Sequence, residues 1–340
     1  MAPHEHPHLF LHPLKRLKIL VGVAISVALL AYLFATVDLR VLAQQLRRTD
    51  WGWVVAAAAL SLVALWARAI RWRYLFPPRS RPPGLVAAIM IGYMINNVLP
   101  LRAGEFARVY VVAHRWGQGF WTTLGTVVVE RVLDGMTVVL MLGILVFLIP
   151  VPAYMQWGAL VMLTVNLMAV VVLAAMVWRP ALTHTAARAI LRRWPRLQNL
   201  VTRAFDRFAR GLEGVRSPAH VMPLLGWTVA AWAIPALEAW MVLRAFDLAL
   251  SWVAPWVVLA FVGISVSIPA APGFIGVFHA AAAVALSLFG VARAEAVGYA
   301  LILHAAQFVP VTLVGWLMLL REQVSLAEVA GVKGEREGAR

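Results

Sequence analysis

Charged and amide side chains crowd the stretch Asn96-Asn97-Val98-Leu99-Pro100-Leu101-Arg102-Ala103-Gly104-Glu105-Phe106-Ala107-Arg108. Glu105 and Arg108 stand three residues apart, the spacing at which two side chains meet on one helical face. Arg102 falls in the turn behind Pro100, free to grip an anion with its fork of donors, as arginine does for phosphate. A helix starting after Gly104 would add N-terminal amides that attract the same anion. The competing reading keeps Arg102 and Arg108 as charges that set membrane topology, with Glu105 as their counter-ion.

A second group, Glu130, Arg131 and Asp134, lies inside the 30-residue apolar run Phe120–Ile149. Each ionised group there costs about 2.5–3.5 kcal/mol to insert into a bilayer, so it needs a partner or a task. Glu130 and Asp134 share a face at i,i+4, and Arg131 and Asp134 can pair at i,i+3. The trio carries net −1, which Arg102 or Arg108 would complete. Two readings stand: an ion network that locks helices together, or a site that binds a headgroup or carries protons on Glu130 or Asp134. Glu238, in another apolar run, is a third proton-coupling candidate; the alternative is an ion pair with Arg244. His304 and Gln307 are spaced to line the same cavity.

These residues sit in a chain of 340 residues that is 62% hydrophobic and 13% charged. That balance excludes an ordinary soluble domain and a disordered chain, and predicts an all-α polytopic membrane protein. Apolar runs fall at Leu17–Thr36, Trp51–Ile70, Phe120–Ile149, Met155–Trp178, Met222–Phe246 and Ala296–Leu320, long enough for six full spans. Two further segments break at proline. Gly84–Leu99 stops at Pro100 and resumes to His114, while Trp252–Ile268 and Phe274–Phe289 flank Pro269-Ala-Ala-Pro272-Gly273. They read as two re-entrant broken-helix hairpins, each entering and leaving on one side.

Positive charge tests that arrangement. With both hairpins re-entrant, 24 of the 30 Lys/Arg residues fall on the cytoplasmic side, the cluster Arg68, Arg71, Arg73, Arg79 and Arg81 among them. Five fall outside and Arg131 within the membrane, so both termini are expected in the cytoplasm of a bacterial inner membrane. Elements one to four and five to eight follow the same order, span, span, broken hairpin, span, starting from opposite sides. Pro100-x-x-x-Gly104 and Pro269-x-x-x-Gly273 recur at the third element of each half. An inverted repeat is therefore expected, with halves 17–150 and 155–321. Backbone groups freed at the breaks must be satisfied by protein or a polar cavity, and Asn96, Asn97, Ser265 and Ser267 are suited to that.

Residues 1–16 read as a disordered cytoplasmic leader, 17–321 as the membrane domain and 322–340 as a cytoplasmic tail. Segment 179–216 holds nine arginines against Asp206 and Glu213. From Leu197 its apolar residues form a helical stripe, expected to lie on anionic lipid or to cap the bundle. The formal charge of +15 thus points to lipid contact, and no nucleic-acid motif accompanies it. Without cysteine, disulfides and thiolate chemistry are excluded. No P-loop, His-Glu-x-x-His or Gly-x-Ser-x-Gly motif is present, and neither cofactor nor metal is expected.

Three anchors together, Asn97-x-x-Pro100-x-Arg102-x-Gly104-Glu105-x-x-Arg108, Glu130-Arg131-x-x-Asp134 and Pro269-x-x-Pro272-Gly273-x-x-Gly276, resemble the membrane half of bacterial lysylphosphatidylglycerol synthases and their stand-alone flippase-like relatives. The resemblance spans about residues 15–321. It implies a domain that moves lipid between leaflets; the synthases' aminoacyl-transfer domain is not expected here. The expected function is a flippase or transporter for a phospholipid or other lipid-linked headgroup. Its binding residues would be Asn96, Asn97, Arg102, Glu105, Arg108, Glu130, Arg131, Asp134, Pro269 and Gly273. The alternatives are a membrane-embedded glycosyl- or headgroup transferase with Glu105 or Asp134 as base, and a non-catalytic subunit partnering lipid-synthesis enzymes, such as those of hopanoid metabolism.

Overall fold

The computed structural model describes residues 13–322, except 78–79, 101, 180, 182, 184, 186–187, 190, 213, 215–217 and 268–269. Most of the leader, the tail beyond Glu322, Arg79 and Pro269 therefore lie outside the described residues. Among those described the chain is helical throughout, with no strand. We number the helices α1 (Pro13–Ala35), α2 (Leu39–Arg48), α3 (Trp51–Arg73), α4 (Leu85–Val98), α5 (Ala103–Arg115) and α6 (Phe120–Leu145). There follow α7 (Ala153–Trp178), α8 (Pro195–Arg210), α9 (Pro218–Ala245), α10 (Ala254–Ser265), α11 (Val277–Ser287) and α12 (Arg293–Arg321). A single 3-10 turn, Pro272–Phe274, precedes α11.

Every apolar run of the sequence became a helix, and both proline-marked segments are broken. Helices α3, α7, α9 and α12 are each long and apolar enough to cross a membrane. A fifth crossing arises if α1 and α2, bent by 89° to one another, count as one. The chain is thus a multi-pass membrane protein. Six uninterrupted spans were expected; α6 falls short of that standard because Glu130, Arg131 and Asp134 lie in every long window of it. Helix α2 was not anticipated. Asp38 caps it, accepting from the Arg40 and Val41 N–H groups, and its polar composition hid it from a search for apolar runs.

Helices α3 and α9 pair antiparallel. Trp53 meets Trp240 edge-on at 5.7 Å between ring centroids, and 13 residues further on Trp66 meets Trp227 at 5.5 Å. Their neighbours correspond when α3–α6 are exchanged with α9–α12: α3 packs on α4 as α9 does on α10, and α4 on α12 as α10 does on α6. The pairs α4–α5 and α5–α6 likewise match α10–α11 and α11–α12. The central helix α8 packs on α6, where the Thr122 hydroxyl donates to the Arg207 carbonyl at 2.9 Å.

Candidate functional site

The break between α4 and α5 follows from local chemistry. Pro100 has no N–H to donate to the helix, and Arg102 takes a left-handed backbone conformation (φ 54°, ψ 38°) that reverses the chain. The Asn96 side chain accepts from the Gly104 N–H at 2.8 Å, closing the second amide of α5. Gly104 must be glycine, because a Cβ there would overlap the Gly92 carbonyl oxygen on α4. Asn97 turns away and donates to the Thr312 hydroxyl on α12 at 2.8 Å.

The second break is held differently. Gly273, Phe274 and Gly276 all have left-handed φ values. Ser26 of α1 accepts from the Ala271 N–H at 2.9 Å, a role expected of Ser265 or Ser267; Ser267 instead donates to the Gly263 carbonyl at 3.2 Å. His279 Nδ1 accepts from the Gly276 N–H, which leaves its Nε2 to donate to His304 Nδ1 at 3.1 Å. Arg102 joins the two breaks: its Nη2 donates to the Val266 carbonyl at 2.7 Å, and its guanidinium lies 5.5 Å from the centre of the Phe274 ring.

Behind the breaks stands an ion network from α3, α5 and α6. Glu130, wholly buried, accepts from Arg71 (3.1 Å), Arg108 (2.7 Å) and Arg131 (2.7 Å). Asp134 is held by Arg71 at 2.6 Å, Arg131 at 3.0 Å and Arg68 at 3.4 Å. Glu105 accepts from Arg108 at 2.6 Å and lies 3.3 Å from Arg131. Four guanidinium groups thus face three carboxylates, and nearby Arg102 raises the excess to two positive charges. Trp72 braces the assembly from behind, with the Arg108 guanidinium 4.9 Å from its ring centre and its N–H donating to Thr126.

Two adjoining chambers, of about 300 and 250 Å³, open in front of this network. They share walls that include Arg68, Tyr93, Asn97, Trp232, Val266 and Phe274. The first is charged and polar, lined by Asn96, Arg102, Glu105, Arg131 and Asp134. The second is mainly apolar, with Gly273, Phe278, Phe308, Glu238, His304 and Gln307 on its walls. Arg68 stands between them. Its Nη2 donates at 3.4 Å to the Ala231 carbonyl, which Pro235, lacking an N–H, leaves free in α9.

Several sequence expectations change in detail. Arg102 is engaged at Val266 and is not wholly free for an anion. Arg108, rather than Arg102, completes the acidic trio. Arg108 and Glu130, read as binding residues, sit behind the cavity wall, because their mutual ion pair buries both. Arg68 and Arg71, counted as cytoplasmic charges, belong to the network; Arg71 is fully buried. The signal for them was their i,i+3 spacing on a helix that runs on to Arg73. Glu238 does not pair with Arg244. One of its oxygens accepts from Gln307 at 3.3 Å, while Arg244 lies over Trp240.

Fold and site define a multi-pass helical membrane protein whose two broken segments meet around a two-chambered cavity, one chamber lined by three arginines and two carboxylates. The chain belongs to the family of the lysylphosphatidylglycerol synthase TM region, which it matches over residues 19–315. It is also similar to the glycosyltransferase AglD of Haloferax volcanii, 25% identical over 336 positions that cover 88% of this chain and 54% of that protein. The chain therefore spans about half the length of this curated relative. No solved structure matches it.

Proposed function

We propose that this protein is a lipid flippase or transporter that moves a phosphate-bearing headgroup between leaflets while the acyl chains stay in lipid. The observation that carries the reading is the cavity at the two breaks, where Arg68, Arg102 and Arg131 line the charged chamber against Glu105 and Asp134, and Arg131 keeps 31% of its side chain exposed. Arg131, Arg68 and the unengaged donors of Arg102 meet the phosphate; Asn96 fixes the turn that presents Arg102, and Asn97 ties that turn to α12. Glu130 holds Arg131 and Asp134 holds Arg68, while Arg71 and Arg108 fix those carboxylates and Glu105 from behind. Both oxygens of Glu130 and of Asp134 are taken by guanidinium groups, so any proton coupling falls to Glu238.

The antiparallel α3–α9 pair and the exchange of neighbours between halves support an inverted repeat. In that arrangement α4–α5 and α10–α11 are re-entrant hairpins and α1, α3, α6, α7, α9 and α12 the spans. The membrane is the bacterial inner membrane, with both termini cytoplasmic and segment 179–216 on anionic lipid. The test is translocation of a labelled phospholipid in proteoliposomes. Arg131→Ala should lower the rate at least tenfold while the protein remains folded; translocation at the unaltered rate would remove the assignment.

The name of the haloarchaeal relative favours a second reading, in which the domain serves a lipid-linked glycosyl or headgroup transferase, as the enzyme or as its membrane subunit. Asp134 is a poor base for it, with Arg71 at 2.6 Å. Product formed by the purified protein from a lipid-linked donor would favour the enzyme. Activity confined to a co-purified partner would favour the subunit.

A further inference from the structure

Two residues in the wall of the apolar chamber each carry a buried polar atom left unanswered among the described residues. Trp232 and Glu238 lie on α9 either side of Pro235, and both line this chamber. Glu238 is 1% exposed and Trp232 9%. Among the described residues, neither the Trp232 Nε1 nor the Glu238 Oε1 has a hydrogen-bond partner. An unmet donor and an unmet acceptor in a dry wall are each costly, and together they specify what would relieve them.

We infer that Trp232 and Glu238 form a hydroxyl-binding subsite, which takes the polyol or glycosyl portion of a headgroup whose phosphate occupies the charged chamber. The inference rests on the phosphate reading above. A polyol or sugar carries several hydroxyls, one to accept from the indole N–H and another to donate to the carboxyl, so it answers both atoms. An ammonium would satisfy Glu238 alone and would enter beside Arg68, whose guanidinium lies 5.6 Å from the centre of the Trp232 ring. A second anionic group would satisfy Trp232 alone and be repelled by Glu238. The aromatic walls at Phe274, Phe278 and Phe308 suit the C–H faces of a polyol or sugar ring. Arg68, shared by both chambers, places the phosphate next to the hydroxyls that follow it in such a molecule.

The experiment is competition among lipids for the purified full-length protein, read by native mass spectrometry. The probes are phosphatidylglycerol and a polyprenyl-phosphate glucose as hydroxylated phosphates, phosphatidic acid as bare phosphate, and phosphatidylethanolamine as the ammonium form. At least one hydroxylated lipid should be retained roughly tenfold over phosphatidic acid, the worth of one or two charge-assisted hydrogen bonds; which one is retained tells glycerol from sugar. Trp232→Phe and Glu238→Gln should bring that ratio towards one while phosphatidic acid stays bound, which also shows that the variants fold. If Glu238→Gln cannot be purified, Trp232→Phe decides. An unchanged ratio in the variants, or preference for phosphatidylethanolamine, overturns the subsite and leaves the phosphate reading intact. Failure of the unaltered protein to hold any of the phosphates overturns the phosphate reading itself.

Discussion

Replacing Glu130 by glutamine should separate the members of the ion network that hold the fold from those that serve the cavity. Glu130 is fully buried and receives Arg71, Arg108 and Arg131 within 3.1 Å. Glutamine keeps the volume but removes the charge, leaving Glu105 and Asp134 to balance four guanidinium groups, of which Arg71 and Arg108 are sealed from solvent. Breaking a buried pair from one side costs about 3–5 kcal/mol, because the partner charge stays behind in a medium of low dielectric. The midpoint of thermal unfolding in detergent should fall on the order of 10 °C. Arg131→Ala is the contrast. Every carboxylate that Arg131 touches retains at least one other arginine, and its own side chain is partly solvated. Its cost in stability should be about 1–2 kcal/mol, while phosphate affinity falls roughly 10- to 100-fold. Unfolding scans alongside phosphatidic acid binding read both quantities. If Glu130→Gln melts with the unaltered protein, or if Arg131→Ala is the less stable of the two, the division between supporting and binding charges is wrong.

Gly104→Ala should force α4 and α5 apart at the Gly92 carbonyl, lowering stability by more than about 2 kcal/mol in denaturant unfolding. Arg102→Gly and Arg102→Ala both lose the bond to Val266, but only glycine adopts φ 54° without strain. Glycine should therefore be the more stable variant by about 1 kcal/mol in the same assay. A double-mutant cycle on Trp53 and Trp240 should return a coupling of about 0.5–1.5 kcal/mol, and a value near zero would contradict the antiparallel contact of α3 and α9.

What could be read from the residues alone divides by physical cause. The helices were visible because burial in lipid demands apolar runs, and the breaks because proline cannot donate to a helix. Glu130, Arg131 and Asp134 were conspicuous because charge in such a run is expensive. Arg68 and Arg71 were hidden, since arginines at the end of a span look like topology charges until a neighbouring helix brings carboxylates to them. The amphipathic α2 lacked an apolar run, and the link between Ser26 and Ala271 joins positions about 245 apart, beyond any local pattern. Glu238 shows the limit most directly. Its nearest basic residue in sequence, Arg244, pointed to an ion pair, yet the three-dimensional neighbour is Gln307 on α12.

The reach of Arg102 from its own turn to the Val266 carbonyl has a mechanical corollary. A single side chain straps the discontinuity of the first half to that of the second, so neither gap can widen without stretching or releasing that strap. Parting the two gaps at this point breaks one hydrogen bond and one ring contact, a small cost beside the helix packing around them. Any anion that competes for the same guanidinium would loosen the link between the two gaps.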